Sequence, residues 1–107
     1  MLSEYLLFNL KQGVGKMTKV KQLANNQFII NDGDVEWLQS YESIIVKRLS
    51  DLNAYIEPDK TYIYLDQKYW NYSKTTSKYR NKFLGETTKE TQAKIDSGEY
   101  TLTDLNQ

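Results

Sequence analysis

Lys74, Lys78 and Lys82 recur at intervals of four, the spacing that stacks side chains along one side of an α-helix. Lys68 and Arg80 extend them into a stretch, residues 68–82, that contains no acid. The chemistry open to such a row is charge pairing with phosphates, with Ser77 and Asn81 as hydroxyl and amide donors beside it. A solvated helix face gives the same pattern, so Lys74, Lys78, Arg80 and Lys82 stand as candidate binding residues with that simpler reading beside them. The second candidate chemistry is aromatic. The chain carries nine tyrosines and two tryptophans, and Tyr62 and Tyr64, two positions apart, share one face of a strand. Tyrosines beside basic groups can stack on the bases of a single-stranded nucleic acid, or can rim a small core.

Other chemistries are poorly provided for. The sequence has no Cys and no His, which removes thiolate ligands, disulfides, the usual general base and the commonest metal ligand. Ser-Lys, Tyr or carboxylate catalysis remains open, but no such pair has a recognisable spacing, and the expectation is a protein that is not an enzyme. Gly13-Val14-Gly15-Lys16-Met17-Thr18 fails as a phosphate loop because Leu10 stands in place of its first glycine and Met17 follows the lysine. Residues 31–42 fail as a calcium loop because Glu36 occupies the glycine position. No cofactor and no metal are expected. The 14 basic and 14 acidic side chains balance, so no global field steers the molecule and any electrostatic role is local.

The elements that must carry these residues read as α+β. Phe28-Ile29-Ile30 and Val35-Glu36-Trp37-Leu38 flank Asp32-Gly33, a tight hairpin signal. Residues 43–49 and 61–66 are further strand candidates, separated by a polar loop, residues 50–60, that holds the single proline. After Trp70 the apolar period lengthens. Ser73 suits an N-cap, Tyr72, Thr76, Tyr79 and Phe83 fall on the face expected to pack, and Gly85 suits a C-cap. Thr87 and Glu90 have capping-box spacing for a second helix, Glu90 and Lys94 an i,i+4 ion pair, and Gly98 its end. The tail 100–102 alternates and suits a last short strand. The expected fold is a small antiparallel sheet of three to four strands, with one Asp-Gly hairpin, followed by a C-terminal helical hairpin. A helix-turn-helix reading around Gly85 is weak, since Thr91 and Lys94 would fall where the two helices pack and the second helix is rich in acids.

With 107 residues, one domain is expected, over residues 17–107. Residues 1–16 differ in composition, and Gln12-Gly13-Val14 can be encoded CAA GGA GTN, a purine-rich ribosome-binding signal just upstream of Met17. Translation from Met17, with 1–16 an extension, is one expectation. The other is an N-terminal helix packing through Leu2, Tyr5 and Leu6. The apolar stretch 5–8 is too short to span a membrane, and the expected location is the cytosol.

Residues 69–86, running Tyr-Trp-Asn-Tyr-Ser-Lys-Thr-Thr-Ser-Lys-Tyr-Arg-Asn-Lys-Phe-Leu-Gly-Glu, together with Ser97-Gly98-Glu99-Tyr100, Asp104-Leu105-Asn106 and Gln39-Ser40-Tyr41-Glu42-Ser43-Ile44-Ile45, resemble a family of small uncharacterised phage and prophage proteins of low-GC Gram-positive bacteria. The resemblance covers residue 17 to the end. It implies a non-catalytic accessory protein that binds a host or phage macromolecule, such as an anti-CRISPR-like inhibitor of a nucleic-acid-targeting defence. Its partner would be a host protein or nucleoprotein complex, with no membrane involved. The alternative is a direct nucleic-acid binder or small regulator, with Lys74, Lys78, Arg80 and Lys82 on phosphates and Tyr62 and Tyr64 on bases.

Overall fold

The computed structural model describes residues 18–50 and 61–107. The N-terminal extension and the polar loop of the sequence reading therefore lie largely outside the described residues. Six strands form one sheet: β1 (Lys19–Ala24), β2 (Gln27–Asn31), β3 (Val35–Ser40), β4 (Ser43–Ser50), β5 (Thr61–Asp66) and β6 (Thr101–Thr103), in the order β1-β2-β3-β4-β5-β6. Pairs β1 to β5 are antiparallel, and β6 joins β5 in parallel. A parallel neighbour needs a crossover, and α1 (Lys74–Leu84) and α2 (Thr88–Asp96) supply it.

The α+β class and the helical hairpin agree with expectation, but three to four strands is an undercount. The unforeseen strand is β1, whose sequence Lys-Val-Lys-Gln opens on four exposed residues. It has no buried stripe to announce it, and only pairing to β2 makes it a strand. Its lysines suit an edge, where charge discourages further strand addition.

Three hairpins build the antiparallel part, of which the sequence signals one. At 32–34, Gly33 takes φ 99°, its N–H donates to Asn31 Oδ1, and Val35 N–H donates to Asp32 Oδ1. The other two turns place Asn26 at φ 61° and Tyr41 at φ 58°, and neither contains glycine. Tyr41 N–H closes its corner onto Asn26 O at 2.6 Å. A bulky side chain in the left-handed region costs about 1–2 kcal/mol, and Tyr41 is 43% exposed, so it recovers little through burial. Tyr41→Gly relieves that strain but frees the unfolded chain at a cost of about 0.4–1 kcal/mol, so a net stabilisation of about 0.5–1 kcal/mol is expected, read as a higher urea midpoint. A lower midpoint would show that the ring contributes more than the strain costs.

The register sorts side chains onto two faces. Leu38, Val46 and Leu65 lie in one cross-strand row, with Glu36, Arg48 and Ile63 in the next. On this face Leu38, Ile45, Val46, Ile63 and Leu65 cluster with Phe83 of α1 and Tyr100 beyond α2. Full burial of each aliphatic side chain is worth about 1.5–3 kcal/mol, and this face anchors both helices.

Candidate binding surface on the first helix

Local chemistry sets the frame of α1. Ser73 is extended at the N-cap and its Oγ accepts the Thr76 N–H, while Gly85 closes the helix in the left-handed conformation with its N–H on Asn81 O. The stripe that packs is Thr76, Arg80 and Phe83, at intervals of four and three. Thr76 Oγ1 lies 2.9 Å from Ser40 Oγ. The Phe83 ring sits 4.1 Å beneath the Arg48 guanidinium, which also donates to Phe83 O and pairs with Glu36.

The packed face is thus rotated from the one expected. Tyr72 is 50% exposed, Tyr79 is half-buried, and Arg80 takes the inward position. Arg80 has no exposed surface at all. Its guanidinium donates to Trp70 O, Asn71 Oδ1, Asn81 Oδ1 and Thr88 Oγ1 and lies 5.0 Å from the Trp70 ring centroid. Burial lowers its pKa and the charge of Glu86 opposes that shift. Among the four basic residues assigned to a binding surface, Arg80 is therefore an internal brace that ties the turn before α1, the helix itself and the start of α2. It has no surface to offer a phosphate. The signal that could have found it is its spacing, four after Thr76 and three before Phe83.

Rotation leaves Lys74, Lys78 and Lys82 exposed together on the outer side of α1. Lys78 Nζ and Lys82 Nζ lie 5.4 and 5.3 Å from the Tyr79 ring centroid, a spacing at which a ring face attracts cations. Lys68 Nζ lies similarly over Tyr69, whose ring meets Tyr72 edge to face at 5.4 Å. Among the described residues the ion pairs are Arg48–Glu36 and Lys94–Glu86, so the three ridge lysines carry none.

Tyr62 and Tyr64 belong to the other side of the molecule. They alternate with Ile63 and Leu65, which face the helices, and so point to the opposite face of the sheet. There Lys47 sits between its cross-strand neighbours Trp37 and Tyr64, with Nζ 5.3 and 5.7 Å from their rings. The structure does not bring these tyrosines to the lysine ridge.

The start of α2 has the expected capping box between Thr87 and Glu90, but the expected Glu90–Lys94 pair is replaced. Glu90 is committed to the Thr87 N–H, and Lys94 pairs with Glu86 at 2.8 Å. Glu86 also accepts from the hydroxyls of Thr91 and Tyr100. Burial pushes the Glu86 carboxyl upward, but Lys94, Thr91 and Tyr100 together hold it below its ordinary value. Burial and Glu86 push the Tyr100 phenol up to about 12. A cleft of about 240 Å³ lies between Arg48 and Lys94, and both cations are already committed to carboxylates.

A family model described as a family of unknown function, DUF8033, matches residues 8–99. The chain belongs to this family. The DUF8033 match takes in every element from β1 to α2, including the whole lysine ridge and the Arg80 brace. No curated protein and no solved structure matches the chain. Among the described residues, no group of three or more acids could hold a metal ion, and no helix is long and apolar enough to cross a membrane.

Proposed function

We propose that this DUF8033 chain works without catalysis, as a phage or mobile-element accessory protein whose outer α1 face binds a macromolecule, and that it inhibits a nucleic-acid-targeting defence. The observation that supports this reading is the row of Lys74, Lys78 and Lys82, exposed on one side of α1 and without ion pairs among the described residues. Three ammonium groups that make no ion pair among the described residues, on a capped, braced helix, suit a fixed anionic surface, such as the phosphates of nucleic acid held in a defence complex. With formal charge zero over the whole chain, contact must come from this patch and not from wholesale mimicry of a polyanion.

The test is capture of the tagged protein from host-cell extract with and without nuclease. The expected result is a defined nucleic-acid-targeting complex that survives digestion and is depleted when Lys74, Lys78 and Lys82 are all replaced by alanine. If the protein protects a phage from none of its host's nuclease defences, the inhibitor reading falls.

Direct nucleic-acid binding is the second reading, favoured by Tyr79 lying between Lys78 and Lys82. It predicts affinity that falls with salt. Each phosphate-contacting lysine replaced by alanine is expected to reduce the log–log slope by about 1. Equal slopes for the native protein and the triple variant would remove this reading.

A further inference from the structure

The acid-free stretch 68–82 sets aromatic rings among its surface lysines. Lys68, Lys74, Lys78 and Lys82 are exposed. Lys68 Nζ lies over the Tyr69 ring, and Lys78 and Lys82 lie over that of Tyr79. Tyr72 meets Tyr69 edge to face and is half exposed, immediately before the Ser73 cap. The side chains that could read base edges in a groove are spent inside the fold. Arg80 and Asn81 bond to each other and to Thr88, and Ser77 donates to Asn71. What this surface presents outward is ammonium groups and rings. The turn that carries Tyr69 and Tyr72 follows Asp66 at one end of the sheet, whereas the register puts Thr18, Ser50 and Thr61 at the other.

We infer that, where the lysine row meets nucleic acid directly as in the second reading, its ligand is a single strand, with phosphates along Lys74, Lys78 and Lys82 and a base stacked on Tyr72. Charge alone favours a duplex, which carries two strands of phosphates over the same length. A tyrosine gains nothing there, because duplex bases are stacked on one another and show only their edges. In a single strand every base has a π-face open to an aromatic side chain. From Lys74 to Lys82 the row runs about 12 Å along α1, room for a few nucleotides. With its Arg and Asn side chains held inside, the site is expected to show little sequence preference.

The test is fluorescence anisotropy at low salt with three labelled probes: a mixed-sequence DNA strand of about 16 nucleotides, its duplex, and an abasic strand of the same length. The native protein is expected to bind the single strand more tightly than either of the others. Tyr72→Ala is expected to weaken single-strand binding about 5- to 150-fold and to leave duplex binding unchanged, while Tyr72→Phe, which keeps a ring, retains the native affinity. Helical circular dichroism checks that the variants fold, and the comparison of the three probes needs no variant. Binding to the duplex or the abasic strand as tight as to the single strand, or a folded Tyr72→Ala protein of native affinity, overturns the inference and leaves the lysine row as a phosphate contact. No binding to any probe overturns it together with the second reading.

Discussion

Replacing Arg80 by methionine is expected to cost about 3–5 kcal/mol, more than any substitution on the lysine ridge. The reason is what the guanidinium leaves behind. Trp70 O, Asn71 Oδ1, Asn81 Oδ1 and Thr88 Oγ1 all accept from it, and a thioether donates to none of them. Each acceptor stranded away from water costs about 1–3 kcal/mol, less where a neighbour can turn to meet it. Asn81 retains a contact with Thr88 through its own amide. Against a total stability of about 5–15 kcal/mol for a small domain, the loss brings the variant close to unfolding. Arg80→Lys is expected to recover only a small part, because one ammonium cannot reproduce a planar fork that reaches acceptors on three segments. Lys82→Ala, two positions along the same helix but exposed, is the control and should shift stability by no more than about 0.5 kcal/mol. Urea titrations followed by circular dichroism decide the matter. Equal midpoints for the Arg80 and Lys82 variants would mean that the brace is not structural.

The second large effect concerns acid. Asp66 is 1% exposed at the end of β5. Its Oδ2 accepts the N–H groups of Lys68 and Tyr69, and its Oδ1 accepts the Leu105 N–H, so one carboxylate fastens both the turn before α1 and the C-terminal tail. Asn106, next in that tail, exchanges two hydrogen bonds with the Ile44 backbone. Burial pushes the Asp66 carboxyl upward, but the Leu105 N–H, the Asn106 amide and the N–H groups of Tyr69 and Lys68 outweigh it and leave it below its ordinary value.

A carboxyl held low in the folded state binds fewer protons than in the unfolded chain, so stability rises with pH through this window. Its contribution is complete above the unfolded pKa, about 3.9, and is lost as pH falls through the lower folded value. Glu86, also held low, acts in the same direction. With no His in the chain, no side chain of ordinary pKa titrates between about pH 5 and 8. The urea midpoint is therefore expected to be flat from about pH 5 to 8 and to fall steeply below about pH 4. Asp66→Asn should cost about 3 kcal/mol at neutral pH and show a shallower acid fall, with Glu86 accounting for the rest. An acid fall as steep in the variant as in the native chain would contradict the role given to Asp66.

Much of the helical half was legible because its determinants are local. A cap needs one side chain within three residues of the N–H it serves, and Ser73, Gly85 and the Thr87–Glu90 box each act over that distance. The same holds for the Asp32-Gly33 corner, where Asn31 and Asp32 bond to backbone two and three residues on. The lysine row was legible for a related reason: it depends only on the helical repeat.

Local pattern has no access to partners distant in the chain. Strand β1 exists because β2 offers it a ladder, and nothing in Lys-Val-Lys-Gln requires that. Tyr41 is held at positive φ by the hairpin around it and not by its own preference. Glu90 had both a local capping bond and a local ion pair open to it. Only the approach of Glu86 to Lys94 and Tyr100 decided which it would make.

Arg80 shows the difference most clearly. By type it belongs with the surface lysines, and by sequence it lies among them. The helix could turn it inward only because Trp70, Asn71, Asn81 and Thr88 converge on one point in space, a neutral oxygen shell that replaces water around the two terminal nitrogens, while Nε stays buried without a hydrogen-bond partner. The sequence by itself determined the α+β class, the helix boundaries, one hairpin and the basic row. The tertiary structure alone decided that this row presents three lysines without the arginine, and that Tyr62 and Tyr64 face away from it across the sheet. Caps and periodicity act between neighbours, whereas burial is a property of everything that packs around a side chain.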